Sequence, residues 1–240
     1  MPTDVLDRDA VPEDIVETAA PAEEGPRPRR RRRVVVRALI GLVAFLLLGN
    51  AAILGSTLFF RFATPAAAAE AEGIANVHPV DDKVIRGAAP GAAGLRDLAA
   101  AGVTTVIDLR AEADLESHDE LLAELGIERF HLPIRDGQLP TEAQAAELLR
   151  IVEEAPGKVF LHCGAGVGRT GAMTAWYLNV TGQTAGAEAL RYNLSVGPPS
   201  LEQIVFSVTT TGGEYRRPGA AVTVLSRVLD GPRRIWHNLT

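Results

Sequence analysis

The chain has a single cysteine, Cys163, among its 240 residues. No intramolecular disulfide can form, so cysteine usage says nothing about compartment, and the thiol has no resolving partner in its own chain. Aromatic residues are scarce at 5%, yet an apolar fraction of 47% is ordinary for a globular protein. A broad basic surface is missing. From Asn76 to Thr240 there are twenty acidic and fifteen basic residues, a net charge of −5, which argues against nucleic-acid binding. The five histidines, at 78, 118, 131, 162 and 237, are scattered and none pairs at ligand spacing, so neither a metal site nor a cofactor is expected. No internal repeat is visible.

Charge is also absent from residues 38–60, where only Asn50, Ser56 and Thr57 are polar. Twenty-three such residues make roughly 35 Å of helix, enough to cross a bilayer core. Residues 1–37 precede this span. Their first part is rich in Asp, Glu, Pro and Ala and reads as a disordered tail. From Arg27 to Arg37 there are seven arginines and no acid, whereas only Arg61 follows the span closely. That asymmetry predicts a single-pass anchor with a cytoplasmic amino terminus and the remainder extracytoplasmic. A cleaved signal peptide is the rival, because Thr64–Ala69 offers small residues at a plausible site. Residues 61–75 read as a linker, 76–211 as a folded domain and 212–240 as a carboxyl-terminal extension.

Within the domain, β-rich and helical patterns alternate. Val84–Gly87 reads as an edge strand, Leu95–Ala101 as a helix and Val103–Leu109 as a strand. Leu115–Leu125 is expected to be helical, Ile127–Pro133 extended, and Thr141 to cap a helix to about Glu154. A short buried strand at Lys158–Leu161 and a helix at Thr170–Val180 follow, then helices near Ala185–Leu194 and Ser200–Val208. The alternation predicts an α/β domain with a mostly parallel central sheet flanked by helices. Gly219–Leu229 has the spacing of an amphipathic helix, expected to pack on the domain or meet the membrane surface. Three Asn-x-Ser/Thr triplets, at Asn179, Asn193 and Asn238, are taken as chance.

Residues 162–171 read His-Cys-Gly-Ala-Gly-Val-Gly-Arg-Thr-Gly. A strand, a glycine-rich turn and a helix start are a phosphate-binding geometry, because backbone N–H groups and the helix dipole converge there. Cys163 sits where that field favours a thiolate, the nucleophilic form. Arg169 offers a planar fork that matches two phosphate oxygens. Glycines at 164, 166 and 168 are expected to permit backbone angles that a side chain forbids.

The histidine, the Cys-x5-Arg spacing and the Gly-x-Gly-Arg-Thr-Gly run resemble the signature of cysteine-dependent protein-tyrosine and dual-specificity phosphatases. Val84–Pro90 and Gly102–Arg110 look like the opening of atypical dual-specificity members, so the resemblance covers roughly residues 77–208. It implies hydrolysis of phosphate monoesters through a phosphocysteine on Cys163. The amides of Gly164, Ala165, Gly166, Val167, Gly168 and Arg169, with the Arg169 guanidinium, would hold the equatorial oxygens. Thr170 would assist the sulfur as leaving group, and His162 would order the loop. The leaving group needs an acid from a separate loop. Asp136, in Arg135-Asp136-Gly137-Gln138-Leu139-Pro140, resembles the family's Asp-x3-Pro acid loop; a turn-forming Asp-Gly pair is its simpler reading. Asp108 is the alternative donor, though a strand-end pair with Arg110 is expected of it. The substrate would be a phosphorylated protein, a small phosphate ester or a lipid or inositol phosphate. No charged residue stands at 164–168 to hold extra phosphates, which lowers the last class. A non-catalytic phosphate-binding module is disfavoured by the complete set of Cys163, Arg169 and a candidate acid.

Overall fold

The computed structural model describes residues 28–63, 71–112, 118–184 and 186–237. The tail before Pro28, the candidate cleavage site, the start of the helix expected at Leu115, and Ala185 lie outside them. Two compact units are distinguished, Met1–Val43 and Ala44–Thr240. The described part of the first is entirely helical, and helix α1 runs Pro28–Ala63, longer at its amino end than the apolar run alone. One such helix, Arg31–Ala63, is long and apolar enough to cross a membrane.

The second unit holds a five-stranded sheet in the order β1-β2-β5-β3-β4. Its strands are β1 (His78–Pro79), β2 (Val84–Gly87), β3 (Val103–Arg110), β4 (Glu128–Ile134) and β5 (Lys158–His162). All neighbours are parallel except β1, which runs antiparallel to β2. Val84–Gly87 is therefore not the edge. The two-residue β1 takes that place, and all four β2 residues are buried.

β5 is the central strand, and its residues Val159–His162 are buried without interruption, as expected of a parallel strand covered on both faces. Its side chains alternate between two cores. Val159 and Leu161 pack with Leu148 and Ile151 of α4 (Glu142–Glu154), Met173 and Trp176 of α5 (Gly168–Val180) and Phe206 of α7 (Leu201–Thr209). Phe160 packs on the other face with Leu95 and Leu98 of α2 (Ala92–Ala100) and Leu122 of α3 (Asp119–Glu124). Ile74 joins that second core and Glu72 N–H donates to Asp97 at 2.7 Å, so packed chain begins before Asn76.

Thr141 caps α4 as anticipated, but its partner in the capping box is Gln144, whose side chain accepts from the Thr141 N–H. Ser200 and Gln203 repeat the device at α7. Helix α6 covers Ala187–Val196 and α8 covers Ala220–His237. α8 packs on α7, with Ser226 accepting from the Glu202 N–H at 3.0 Å. Asn50 in α1 donates to Leu46 O and to Leu229 O of α8, so this amide is satisfied within an apolar run. Asn179 and Asn193 are buried and hydrogen-bonded.

Candidate active site

Cys163 follows β5 directly at the carboxyl end of the central strand and is 3% exposed. The turn to α5 is tied down from outside through its carbonyl oxygens. Gly164 O accepts from Ala89 N–H at 3.0 Å and Ala165 O from Asn76 Nδ2 at 2.9 Å. Gly166 O and Val167 O accept from Arg86 Nη2 at 2.8 and 3.2 Å. In a planar trans peptide the N–H of the next residue points opposite to the carbonyl. With four consecutive carbonyls held outward, the amides of residues 165–168 turn inward.

Only one of the three loop glycines needs its conformational freedom. Gly166 has φ +71°, and a Cβ there would lie 2.3 Å from the Gly87 carbonyl carbon. Gly168 instead leaves room for a neighbour, since a Cβ would lie 2.7 Å from Gln203 Oε1 and displace that side chain. Gly164 has room, with Arg169 Nη2 at 3.7 Å the nearest contact to its Cβ position.

Arg169 enters the loop from the first turn of α5 and is 5% exposed. Its Nη1 donates to Glu112 Oε2 at 2.8 Å and to Ile134 O at 3.1 Å. Its Nε is buried without a partner, and Nη2 stands 3.6 Å from Asp136 Oδ1. One end of the guanidinium is thus anchored, while the Nε edge is left for an oxyanion. Burial would lower its pKa, but the Glu112 hydrogen bond and the charges of Cys163, Glu112 and Asp136 hold it above the ordinary value. Thr170 is fully buried and its Oγ1 is likewise unpartnered. It does not cap the helix, because α5 already starts at Gly168.

Asp136 lies on the β4–α4 connection. Gln138 N–H donates to Arg135 O at 3.0 Å and Gly137 has φ +70°, so the Asp-Gly pair does form a turn. The same turn presents an Asp136 side chain that is 68% exposed toward Arg169. The turn and the place beside Arg169 are compatible in one residue. Asp108 is different. It is fully buried at the end of β3, where Arg110 Nη2 donates at 2.8 Å and Arg129 Nη2 at 3.3 Å. Burial alone would raise its pKa, but the hydrogen bonds from Arg110 and the neighbouring positive charges hold it well below the carboxylate range. A carboxyl so fixed in its ionised form is unsuited to donate a proton.

His162 Nδ1 lies 3.2 Å from Cys163 O, and its Nε2 is 3.9 Å from Asp108. Burial pushes its pKa down to about 4, against the pull of Asp108. It is neutral at neutral pH, and its ring stacks on Phe160 with centroids 5.8 Å apart.

Three contributors escaped the sequence reading. Arg86 is 0% exposed, donates to Asn193 Oδ1 at 2.7 Å and lies 5.4 Å from the Tyr192 ring centroid. Its one sequence signal was a charge within an apolar buried strand. Glu112 follows the Asp-Leu-Arg run by two residues, and nothing local marks it. Gln203 lies close to Gly168 of the loop, and its Nε2 donates to Gln138 O of the β4–α4 connection at 3.2 Å.

A family model described as "DSP-PTPase phosphatase fused to NAD+ Kinase" matches residues 57–206. The chain belongs to this family. It is a cysteine-dependent phosphatase-superfamily member with the superfamily's α/β fold. It is 33% identical over 103 residues to the human "Dual specificity protein phosphatase CDC14C", a match covering 40% of this chain and 22% of that protein. It is 31% identical over 86 residues to the Caenorhabditis elegans "Tyrosine-protein phosphatase cdc-14", covering 35% of this chain and 12% of that one. The chain thus spans about a fifth or less of the length of these curated relatives. Among solved structures, P. aeruginosa TpbA, as a cysteine-to-serine variant in complex with pTyr, shares the fold. Its TM-score is 0.50 at 22% identity, over 69% of this chain and 97% of that one.

Proposed function

We propose that this phosphatase is membrane-anchored and hydrolyses phosphate monoesters, phosphotyrosine of proteins foremost, through a phosphocysteine. Cys163 attacks phosphorus and forms the S–P bond as the ester oxygen leaves. Asp136 supplies that oxygen with a proton. Water then attacks phosphorus, the S–P bond breaks, and Thr170 stabilises the departing thiolate by donating its hydroxyl hydrogen bond. Inward amides of residues 165–168, flanked by those of Gly164 and Arg169, and the Nε edge of Arg169 hold the equatorial oxygens.

The observation that carries this reading is the pair of buried, unpartnered donors, Arg169 Nε and Thr170 Oγ1, in the first turn of the helix that follows the Cys163 loop. Buried donors without partners are costly, and a bound phosphoryl group relieves that cost. Uncharged residues at 164–168 favour a monophosphate over an inositol polyphosphate. The curated relatives' names support a protein substrate.

The test uses the full chain in detergent. An aryl phosphate should be hydrolysed with chelator present, and Cys163→Ser should abolish turnover. Arg169→Lys should be nearly as severe, because a point charge cannot replace a fork. Persistent turnover by Cys163→Ser would sink the mechanism. Faster hydrolysis of phosphoinositides than of phosphotyrosine peptides would overturn the substrate assignment.

A further inference from the structure

The connection that carries Asp136 is fastened by its carbonyl oxygens to residues much later in the chain. Gly137 O accepts from Ser200 Oγ at 3.2 Å, and Gln138 O from Gln203 Nε2 at 3.2 Å. Pro140 O accepts a hydrogen bond from the Tyr215 hydroxyl. Tyr215 lies beyond residue 206, where the family match stops, in the stretch between α7 and α8. Its ring is seated edge-on against Trp176, centroids 5.6 Å apart at 72°, and tilted against Phe206 at 5.4 Å. The stretch itself is fixed by Asn179 on α5, whose Nδ2 donates to Thr210 O at 2.6 Å while its Oδ1 accepts from Gly213 N–H at 2.8 Å.

We infer that Tyr215 is a positioning residue for the acid: the carboxyl-terminal stretch reaches back to hold Asp136 over Arg169. The inference rests on the reading of Asp136 as proton donor. The physical argument is one of shared reference. Arg169 opens α5, and Asn179 and Trp176 stand on the same helix. Tyr215, placed by both, transfers the frame of α5 to Pro140, the last residue before the α4 cap. Phosphate loop and acid loop are then registered to one rigid element. Pro140 also has no N–H and a fixed φ, so its carbonyl is the group by which this end of the loop can be held. A proton donor misplaced by about an ångström loses much of its effect, and the three carbonyl bonds oppose such drift.

The experiment compares phosphotyrosine, whose phenoxide needs a proton as it leaves, with an aryl phosphate whose activated leaving group needs little help. Tyr215→Phe keeps the ring on Trp176 and Phe206 and deletes only the bond to Pro140 O. In the full chain in detergent, it should lower kcat on phosphotyrosine by about 3- to 10-fold, the size of one hydrogen bond. It should leave kcat on the activated ester and the rate of Cys163 alkylation unchanged. In an Asp136→Asn background Tyr215→Phe should add nothing, because the group it positions is gone. Wild-type turnover of phosphotyrosine by Tyr215→Phe overturns the proposal, as does an equal loss on both esters. If Asp136→Asn alone shows no selective loss on phosphotyrosine, the acid assignment falls and this inference with it. A selective loss in Asp136→Asn without one in Tyr215→Phe overturns the Tyr215 role alone.

Discussion

Arg86 carries its charge at zero exposure inside a parallel sheet, a placement that costs several kcal/mol unless hydrogen bonds compensate. Burial lowers its pKa, against the opposing influence of Tyr192 and Cys163. The compensation is specific: Asn193 and the carbonyls of Gly166 and Val167 accept from the guanidinium. Arg86 thereby fixes the two peptides whose opposite faces point toward Cys163. Replacing it with methionine keeps the volume and removes the donors. Arg86→Met should reduce kcat/KM on an aryl phosphate by about 10- to 100-fold, because Gly166 O and Asn193 Oδ1 lose their donor at about 1 kcal/mol or more each, whereas Val167 O keeps the Gly171 N–H at 2.9 Å. Wild-type kinetics in a folded Arg86→Met variant would show that the loop holds its shape unaided. The residues that sequence alone made legible are those with a chemical pattern over a few positions: Cys163, Arg169 and Thr170 in one run, Asp136 in an Asp-x3-Pro run. Arg86 was not, because its partners stand about 80 and 107 residues away, and long-range contacts leave no local spacing to read.

At the scale of elements, the pattern of alternating strands and helices was legible because the central strands β3 and β5 are apolar and α4 and α7 open on a capping Thr141 and Ser200. Boundaries shifted by a few residues, as at Ala92 rather than Leu95. The sheet order was not legible. β2 reads as an edge because it is short, yet β5 pairs with it in parallel and β1 covers its outer side. This order brings the ends of β3 and β5 side by side, with Asp108 opposite His162. That juxtaposition makes stability depend on pH in a defined window. The folded state holds the His162 pKa at about 4, whereas an unfolded histidine titrates near 6.5. Between these values the unfolded chain binds the extra proton, so stability is full above about pH 6.5 and declines as pH falls toward 4. The loss should be on the order of 2 kcal/mol between pH 7.5 and 5. Asp108, also depressed, has the opposite charge type and contributes stability that is lost only below the ordinary carboxylate pKa, outside this window. Guanidinium denaturation of the full chain should therefore show a lower midpoint at pH 5 than at pH 7.5. His162→Gln should be less stable at pH 7.5 but show a much smaller change between the two. An equal change in both proteins would exclude His162 as the source.

If α1 anchors the whole molecule as proposed, the charges that flank it decide on which side of the membrane the phosphatase unit lies. Helix α1 presents Leu39, Leu47, Leu48, Phe59 and Phe62 at more than half exposure. A window of Arg31–Ala63 reaches a mean hydropathy of 2.3. At about 1.5 Å per residue this is longer than a bilayer core, so the arginine-rich end projects beyond it. Seven arginines from Arg27 to Arg37 against Arg61 alone near the other end is a strong bias for retention of the amino terminus in the cytoplasm. The phosphatase unit would then be exported, with its single cysteine in surroundings where the missing resolving partner matters. A reporter active only outside the cytoplasm, fused after Thr240, should be active, and the protein should fractionate with membranes. Exchanging Arg29–Arg33 and Arg37 for glutamine should give a mixed population of orientations, since the bias resides in those charges. An inactive reporter in the unaltered protein would reverse the assigned topology. A soluble product beginning near Ala69 would replace the anchor with a cleaved leader while leaving the unit on the same, outer side.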